Sequence, residues 1–346
     1  MSLRDAFDRW LPLIDAELQE VVHTAHHSLA DYYGMMHYHL GWVDEAFQPI
    51  QVVRGKRLRP MLCLLACEAA GGDPLQALPA ACAVELVHNF SLVHDDIQDG
   101  SHFRRGRRAV WDLWGVDHGI NVGDALFVLA RLALHRLGER GVPLPRREAA
   151  ALVLDRACLA LCEGQFFDMT FEDRVQVDLD QYLWMIRHKT SALLAAAAQL
   201  GAIVATDDPA LPSCYQRVGE HLGTAFQIQD DILGAWGDEQ VTGKSAATDI
   251  RDKKKTLPVV YALNQSGDRD AARQLASLYA QDAPLDEPAI QRALALLKQV
   301  GARPYAGAMA AQYHHLALES LEQTGIENAA QAHLREMAAS LLGREV

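Results

Sequence analysis

Two stretches of this 346-residue chain end in carboxylates at a spacing suited to chemistry. In the first, Glu85-Leu86-Val87-His88-Asn89-Phe90-Ser91-Leu92-Val93-His94 runs into Asp95-Asp96-Ile97-Gln98-Asp99. In the second, Gly223-Thr224-Ala225-Phe226-Gln227-Ile228-Gln229 runs into Asp230-Asp231-Ile232-Leu233-Gly234. On a helix Asp95 and Asp99 lie one turn apart on one face, where like charges repel. Carboxylates at a helix C-terminus also oppose the macrodipole. A divalent cation relieves both penalties, and hard oxygen donors with water nearby suit Mg²⁺ rather than Zn²⁺. Either cluster alone reads equally well as a solvated helix end; the recurrence of the theme favours metal.

Mg²⁺ held by one or two carboxylates commonly completes its shell with phosphate oxygens. Basic clusters to receive a phosphate are present: Lys56 and Arg59 in Gly55-Lys56-Arg57-Leu58-Arg59-Pro60, then Arg104-Arg105-Gly106-Arg107-Arg108 just after the first aspartates. Lys189-Thr190, Lys244 and Lys253-Lys254-Lys255 follow. Arg forks and Lys point charges both stabilise a diphosphate directly. Any one cluster by itself reads as a solvated face.

The elements that carry these residues read as helices. Prolines cluster in short breaks, leaving 80–142, 146–208 and 213–257 free of them, and Ala, Leu, Glu and Gln dominate those runs. Boundaries are predicted where Gly71-Gly72 stops one helix and Asp73-Pro74 caps the next, and again at Asp208-Pro209 and Glu287-Pro288. No Gly/Ser linker or composition shift marks a second domain, so the prediction is all-α, one large helical bundle over residues 1–346. Its motif-bearing core covers about 51–262.

Thirty-two basic against 45 acidic residues give a net charge of −13, which repels nucleic acid and anionic membrane surfaces. The absence of a spanning stretch and of a signal-peptide profile predicts a cytoplasmic protein with no stable membrane insertion. Cys63, Cys67, Cys82, Cys158, Cys162 and Cys214 read as core thiols among Leu and Ala. His23, His26, His27, His37 and His39 read as a helical packing surface beside Tyr32, Tyr33, Tyr38 and Trp42, since nothing completes a tetrahedral metal set.

From Gly55 to Pro258 the ordered motifs resemble those of the trans-type isoprenyl diphosphate synthases, the polyprenyl synthetase family. The resemblance rests on Asp95-Asp96-Ile97-Gln98-Asp99 followed by Arg104-Arg105-Gly106, on Lys189-Thr190 and on Asp230-Asp231. It implies an isoprenoid-synthase bundle with a central cavity, a homodimer, and condensation of isopentenyl diphosphate with an allylic diphosphate. Residue by residue, it implies that Asp95, Asp99 and Asp230 hold Mg²⁺, three ions with substrate bound, supported by Asp96 and Asp231. Arg104, Lys189, Thr190, Gln227, Lys244 and Lys254 would contact the allylic diphosphate, with Lys189, Thr190 and Gln227 offering dipoles near the allylic cation. Lys56, Arg59, His88 and Arg105 would bind isopentenyl diphosphate. His88 precedes Asp95 by seven residues, about two helical turns, which places both on one face.

Ser91, at i−4 from Asp95, is small and Phe90 beside it is bulky, a pairing that resembles family members making geranylgeranyl diphosphate. Farnesyl or longer-chain synthase, terpene cyclase and non-catalytic subunit of a heteromeric synthase are the alternatives. The Gly55–Pro60 motif argues against the cyclase, and the retained aspartates argue against the subunit. Three departures from the family pattern stand out: Gly234 where a last aspartate is usual, Arg108-Ala109 where Pro-Thr is usual, and Phe166-Phe167, expected to narrow the tunnel. Asp238 and Asp249 are candidates to replace the missing carboxylate, though distant along the chain.

Overall fold

Asp73 accepts the Leu75 N–H at 3.0 Å and Pro74 occupies the first helical position, so the 25-residue helix Pro74–Gln98 starts where its sequence dictates. The computed structural model describes residues 2–50, 57–237, 247–264, 267–281 and 283–342. Lys56 and Lys244 among the site candidates, and Asp238, lie outside the described residues.

The chain divides into two compact units, one of Met1–Asp155, Ala196–Gln216 and Ile326–Leu334, the other of Arg156–Ala195, Arg217–Gly325 and Arg335–Val346. Among the described residues both are helical but for one small hairpin. In the first unit α1 (Leu3–Val21), α2 (Ala30–Leu40), α3 (Leu58–Ala69), α4 (Pro74–Gln98), α5 (Val110–Trp114) and α6 (Val116–His135) follow one another. Helix α4 packs along both α3 and α6, and from Ala77 to Val87 all its residues are buried. Such a rod, apolar all round, needs neighbours on every side. Gly72 and Gly201 admit close backbone approach: a Cβ on Gly201 would lie 2.1 Å from the Cys63 carbonyl.

The second unit contains most of α7 (Leu144–Glu172), then α8 (Leu179–Ile186), the start of α9 (Ala192–Ala205) and most of α10 (Ala210–Trp236). Helices Thr248–Arg251, Leu257–Asn264, Arg269–Tyr279, Glu287–Gln299 and Ala302–Glu322 follow. One of its cores gathers Phe171, Tyr182, Met185, Ile228, Ile232 and Leu257. A second gathers Val259, Leu275, Tyr279, Ile290 and Leu297.

Several boundaries fall where predicted. Gly71, at φ +84°, ends α3, and Asp208 accepts the Ala210 N–H at 2.9 Å to begin α10. Near residue 287 the cap moves back by one: Asp286 accepts the Ala289 N–H at 3.0 Å, because its short side chain reaches the amide while Glu287 is already helical. Cys63, Cys67, Cys82 and Cys158 are buried thiols as expected, but Cys162 is exposed on the outer face of α7. Among the N-terminal histidines, His37 packs on Trp42 and binds the Val22 carbonyl at 2.8 Å. His23, His26 and His27 are exposed beyond the end of α1 and form no packing surface.

Candidate active site

Along the last turns of α4 the carboxylates diverge in environment. Asp95 is half-buried, Asp96 is 1% exposed, and Asp99, the C-cap, is exposed. Asp96 accepts the Arg104 Nε–H at 2.7 Å while its Oδ2 is buried without a partner. Burial pushes the Asp96 pKa up, against the Arg104 hydrogen bond and charge that lower it. The same guanidinium reaches Asp95 at 3.7 Å.

Arg104 is placed by a hairpin of Phe103–Arg104 and Arg107–Arg108, whose turn residues Arg105 and Gly106 have φ of +53° and +74°. Two left-handed residues match the twist of a tight hairpin, and glycine supplies the second without strain. The turn residue Arg105 is itself a candidate ligand. The hairpin is sewn to α2: Arg107 donates to the Tyr38 and Val43 carbonyls at 2.9 and 2.7 Å, and Tyr38 Oη donates to the Arg108 carbonyl at 2.9 Å. Arg108 turns its charge onto Asp112 at 2.6 Å, and the buried Ala109 donates to the His102 carbonyl at 2.8 Å. The unusual Arg108-Ala109 pair thus closes the loop and spends its charge away from the aspartates.

Among the described residues, the basic candidates Arg59, His88, Arg104 and Arg105 form one electrostatic cluster. Burial holds His88 well below the ordinary imidazole range, and Arg59 and Arg105 push it in the same direction. Burial likewise lowers Arg105. His39 on α2 belongs to the cluster, its pKa pushed down to about 3 by burial and by Arg105, Arg104, Arg107 and Arg57, with Nε2 shielded and unpartnered. From sequence alone His39 reads as part of a helical packing surface. Beneath Arg59, Arg57 begins α3 in a left-handed conformation (φ +49°). Arg57 donates to Glu85, which also accepts from Asn89 at 3.0 Å.

In the second unit, Lys189 and Thr190 lie on a π-helical turn, Arg187–Ser191, between α8 and α9. Such turns carry one extra residue and re-aim side chains. Gly164 on α7 makes room for it, since a Cβ there would sit 2.2 Å from the Lys189 nitrogen. Lys189 is bonded to Asp168, and Thr190 Oγ1 donates to Gln227 Oε1 at 2.7 Å. Gln227 Nε2 in turn donates to Asp231 Oδ1 at 3.0 Å.

Asp231 is a saturated structural carboxylate, 5% exposed. It accepts the Tyr182 hydroxyl at 2.6 Å and the Leu257 N–H at 2.8 Å. Burial pushes its pKa up to about 7 against the lowering effect of these bonds. Asp230, by contrast, is half-buried. Of the lysine triplet, Lys253 binds the Gln281 carbonyl and Lys255 is buried, while Lys254 is half-exposed. Phe166 is 59% exposed and so does not narrow an interior tunnel; its position on α7 faces outward, whereas Phe167 packs on Phe171 and Trp184.

Among the described residues no group of three or more His, Cys, Asp or Glu side chains is arranged to hold a metal ion. The donor set nevertheless fits Mg²⁺: Asp95 and Asp99 are hard oxygen donors one turn apart, and the buried Asp96 Oδ2 has no protein partner. Water and phosphate oxygens would complete such a shell. No helix among the described residues is long and apolar enough to cross a membrane.

The first aspartate cluster ends α4, whereas α10 continues past Asp230 and Asp231 to Trp236, so the second cluster lies within its helix and not at the predicted end. The helical architecture defines an all-α protein of the isoprenoid synthase fold. It superimposes on the geranylgeranyl pyrophosphate synthetase of Pyrococcus horikoshii with a TM-score of 0.86 at 34% identity, over 99% of each chain. A family profile described as Polyprenyl synthetase matches residues 41–297. The chain is 39% identical over 313 residues to a (2E,6E)-farnesyl diphosphate synthase of Mycobacterium tuberculosis, covering 89% of this chain and 85% of that one. It is 42% identical over 287 residues to a geranylgeranyl diphosphate synthase of the same organism, covering 83% and 80%. The protein belongs to the polyprenyl synthetase family and is an enzyme, a trans-prenyltransferase that makes short-chain prenyl diphosphates.

Proposed function

We propose that this enzyme condenses isopentenyl diphosphate with an allylic diphosphate, Mg²⁺-dependently, to give geranylgeranyl diphosphate and release diphosphate. The observation that carries the reading is the end of α4, where Asp95 and Asp99 stand one turn apart with Arg104 reaching Asp95 and Asp96. In this reading Asp95, Asp99 and Asp230 are metal ligands, Asp96 and Asp231 hold their neighbours in place, and one catalytic domain spans residues 1–346. Bound Mg²⁺ supplies Lewis-acid neutralisation of the departing diphosphate and a template for it.

The chain's own residues do the rest. Arg104, Lys189, Lys244 and Lys254 bind the allylic diphosphate, and Lys56, Arg59, His88 and Arg105 bind the isopentenyl one. Thr190 and Gln227, locked to each other and to Asp231, are dipoles that need no reorganisation when positive charge develops on the allyl group. No side-chain nucleophile is required: the isopentenyl double bond forms the new carbon–carbon bond, and the proton then lost goes to the released diphosphate. Apolar walls exclude water from the cation.

Twenty carbons is the proposed length because Phe90 lies beneath Asp95 on α4 while its neighbour Ser91 is small. The enzyme works as a cytoplasmic homodimer in this reading. On α6, Val116, Ile120, Val128 and Leu132 recur at helical spacing and are exposed; Leu152, Leu159 and Phe166 do the same along α7. Single exposed apolar residues are ordinary, but stripes of them support a subunit interface. Purified protein is incubated with Mg²⁺, labelled isopentenyl diphosphate and, separately, dimethylallyl, geranyl and farnesyl diphosphates, with and without chelator. A twenty-carbon terminal product, lost on chelation, is expected. Farnesyl diphosphate as the end product under excess isopentenyl diphosphate would overturn the length, and no condensation from any starter would move the reading to a subunit that modifies another synthase.

A further inference from the structure

We propose that Phe127, on α6, is the second aromatic ring of the product-length floor, doing from a neighbouring helix what Ser91 does not do from α4. This rests on the proposed placement of Phe90 beneath the metal-binding turn. Phe90 is 7% exposed, and its ring meets Phe127 at a centroid distance of 4.9 Å and an interplanar angle of 63°.

The level of that contact follows from a second one. His94 lies across α6 where Gly123 leaves room: a Cβ on Gly123 would be 2.2 Å from His94 Nε2, which also approaches the Ile120 carbonyl at 3.1 Å. Phe90 is four residues before His94 on α4, and Phe127 four residues after Gly123 on α6. The two helices therefore run antiparallel here, and each ring sits one turn below the His94–Gly123 contact, about 6 Å along the axis. His94 adjoins Asp95, so both rings lie one turn beneath the carboxylate.

Phe127 is also held in place. The Arg131 guanidinium covers its ring at 3.7 Å, donates to the Phe127 carbonyl at 3.1 Å and pairs with Asp155 at 2.8 Å. A ring clamped between Phe90 and an arginine cannot swing aside as an unsupported side chain would. Ser91 turns its hydroxyl back to the His88 carbonyl at 2.8 Å and adds no bulk. Two rings from two helices thus meet one turn beneath Asp95, where Ser91 supplies none.

The test uses the full-length enzyme with saturating Mg²⁺, an allylic starter and excess labelled isopentenyl diphosphate. Products of wild type, Phe90→Leu, Phe127→Leu and Phe127→Ala are separated by chain length; leucine keeps apolar packing, and thermal melting verifies each fold. Phe127→Leu and Phe127→Ala should raise the share of products longer than the wild-type terminus by about tenfold, the low end of what apolar pocket contacts discriminate. Folded Phe127 variants with wild-type product length, while Phe90→Leu lengthens the product, would overturn the role of Phe127 alone. Unchanged length in all three variants would overturn the floor at Phe90 as well, and absence of any condensation by wild type would overturn the enzymatic reading beneath both.

Discussion

Gly234 and Asp249 share one space: a Cβ on Gly234 would lie 1.8 Å from Asp249 Oδ2. The family's third aspartate of the second motif is missing at Gly234, and a carboxylate from the helix Thr248–Arg251 fills the room it leaves. Sequence distance alone left Asp249 an uncertain substitute. Gly234→Ala is expected to displace that carboxylate while leaving the fold intact. The displaced atom is the end of a short flexible side chain, and alanine is the better helix former by roughly 1 kcal/mol. The melting temperature should stay within a few degrees of wild type while the Mg²⁺ concentration for half-maximal activity rises several-fold. An unchanged Mg²⁺ requirement would show that Asp249 does not act on the metal, and Gly234→Asp would then be a harmless reversion rather than a competitor of Asp249.

Tyr182 and Asp231 tie α8 to α10 through a bond of 2.6 Å, and the Leu257 N–H brings a third helix to the same carboxylate. Removing the phenol leaves Asp231 with two partners and takes one charge-accepting bond from a buried site. Tyr182→Phe should cost about 1.5–3 kcal/mol in chemical denaturation. It should also loosen Gln227, which donates to the other oxygen of Asp231. A cost below about 0.5 kcal/mol, within the range of ordinary surface substitutions, would mean that the carboxylate finds another donor.

The contrast between Asp230 and Asp231 marks the limit of what spacing reveals. Adjacent aspartates after an apolar run announce a metal motif, and the glycine stop, the Asp73 cap and the proline-free runs announce the helices that carry it, though not that α10 runs on to Trp236. Which aspartate faces solvent depends on Tyr182 and Leu257, far away in sequence, and nothing in the local pattern names them. His39 was equally hidden, since a histidine near aromatic residues reads as packing until the hairpin of Arg104 and Arg105 is known to be sewn onto its helix. The π-turn under Lys189 and Thr190 has one legible trace, the glycine at 164 that makes room for it.

His39 makes stability depend on acid. An unfolded histidine takes up its proton as pH falls below about 6.5, whereas the folded ring, buried among arginines, does so only near pH 3. Between those values the unfolded chain binds more protons, so stability falls as pH drops from about 6.5 toward 3, by at most about 1.4 kcal/mol per unit from this residue. His39→Gln keeps a hydrogen-bonding side chain but cannot titrate. It should flatten the pH dependence of unfolding free energy between pH 6.5 and about 4.5. Parallel curves for the two proteins would mean that the folded His39 ring takes up its proton near pH 6.5, as the unfolded one does.

Glu85 and Arg57 are 2% and 5% exposed, so neither charge has water to fall back on. Arg57 also approaches Asp15 at 3.5 Å, and Asn89 fixes Glu85 through its side chain and its backbone carbonyl, at 3.0 and 2.7 Å. The pair anchors the start of α3, where Arg57 adopts its left-handed conformation two residues before Arg59. Such a pair adds little net stability against an apolar replacement, but losing one partner strands the other charge. Glu85→Gln should therefore cost about 3 kcal/mol or more by denaturation, with the buried guanidinium left to Asp15 alone. The KM for isopentenyl diphosphate should rise further than that for the allylic substrate, because Arg59 is the second residue of the helix whose start the pair sets. Equal changes in the two KM values would mean that the ion pair holds the fold without orienting Arg59.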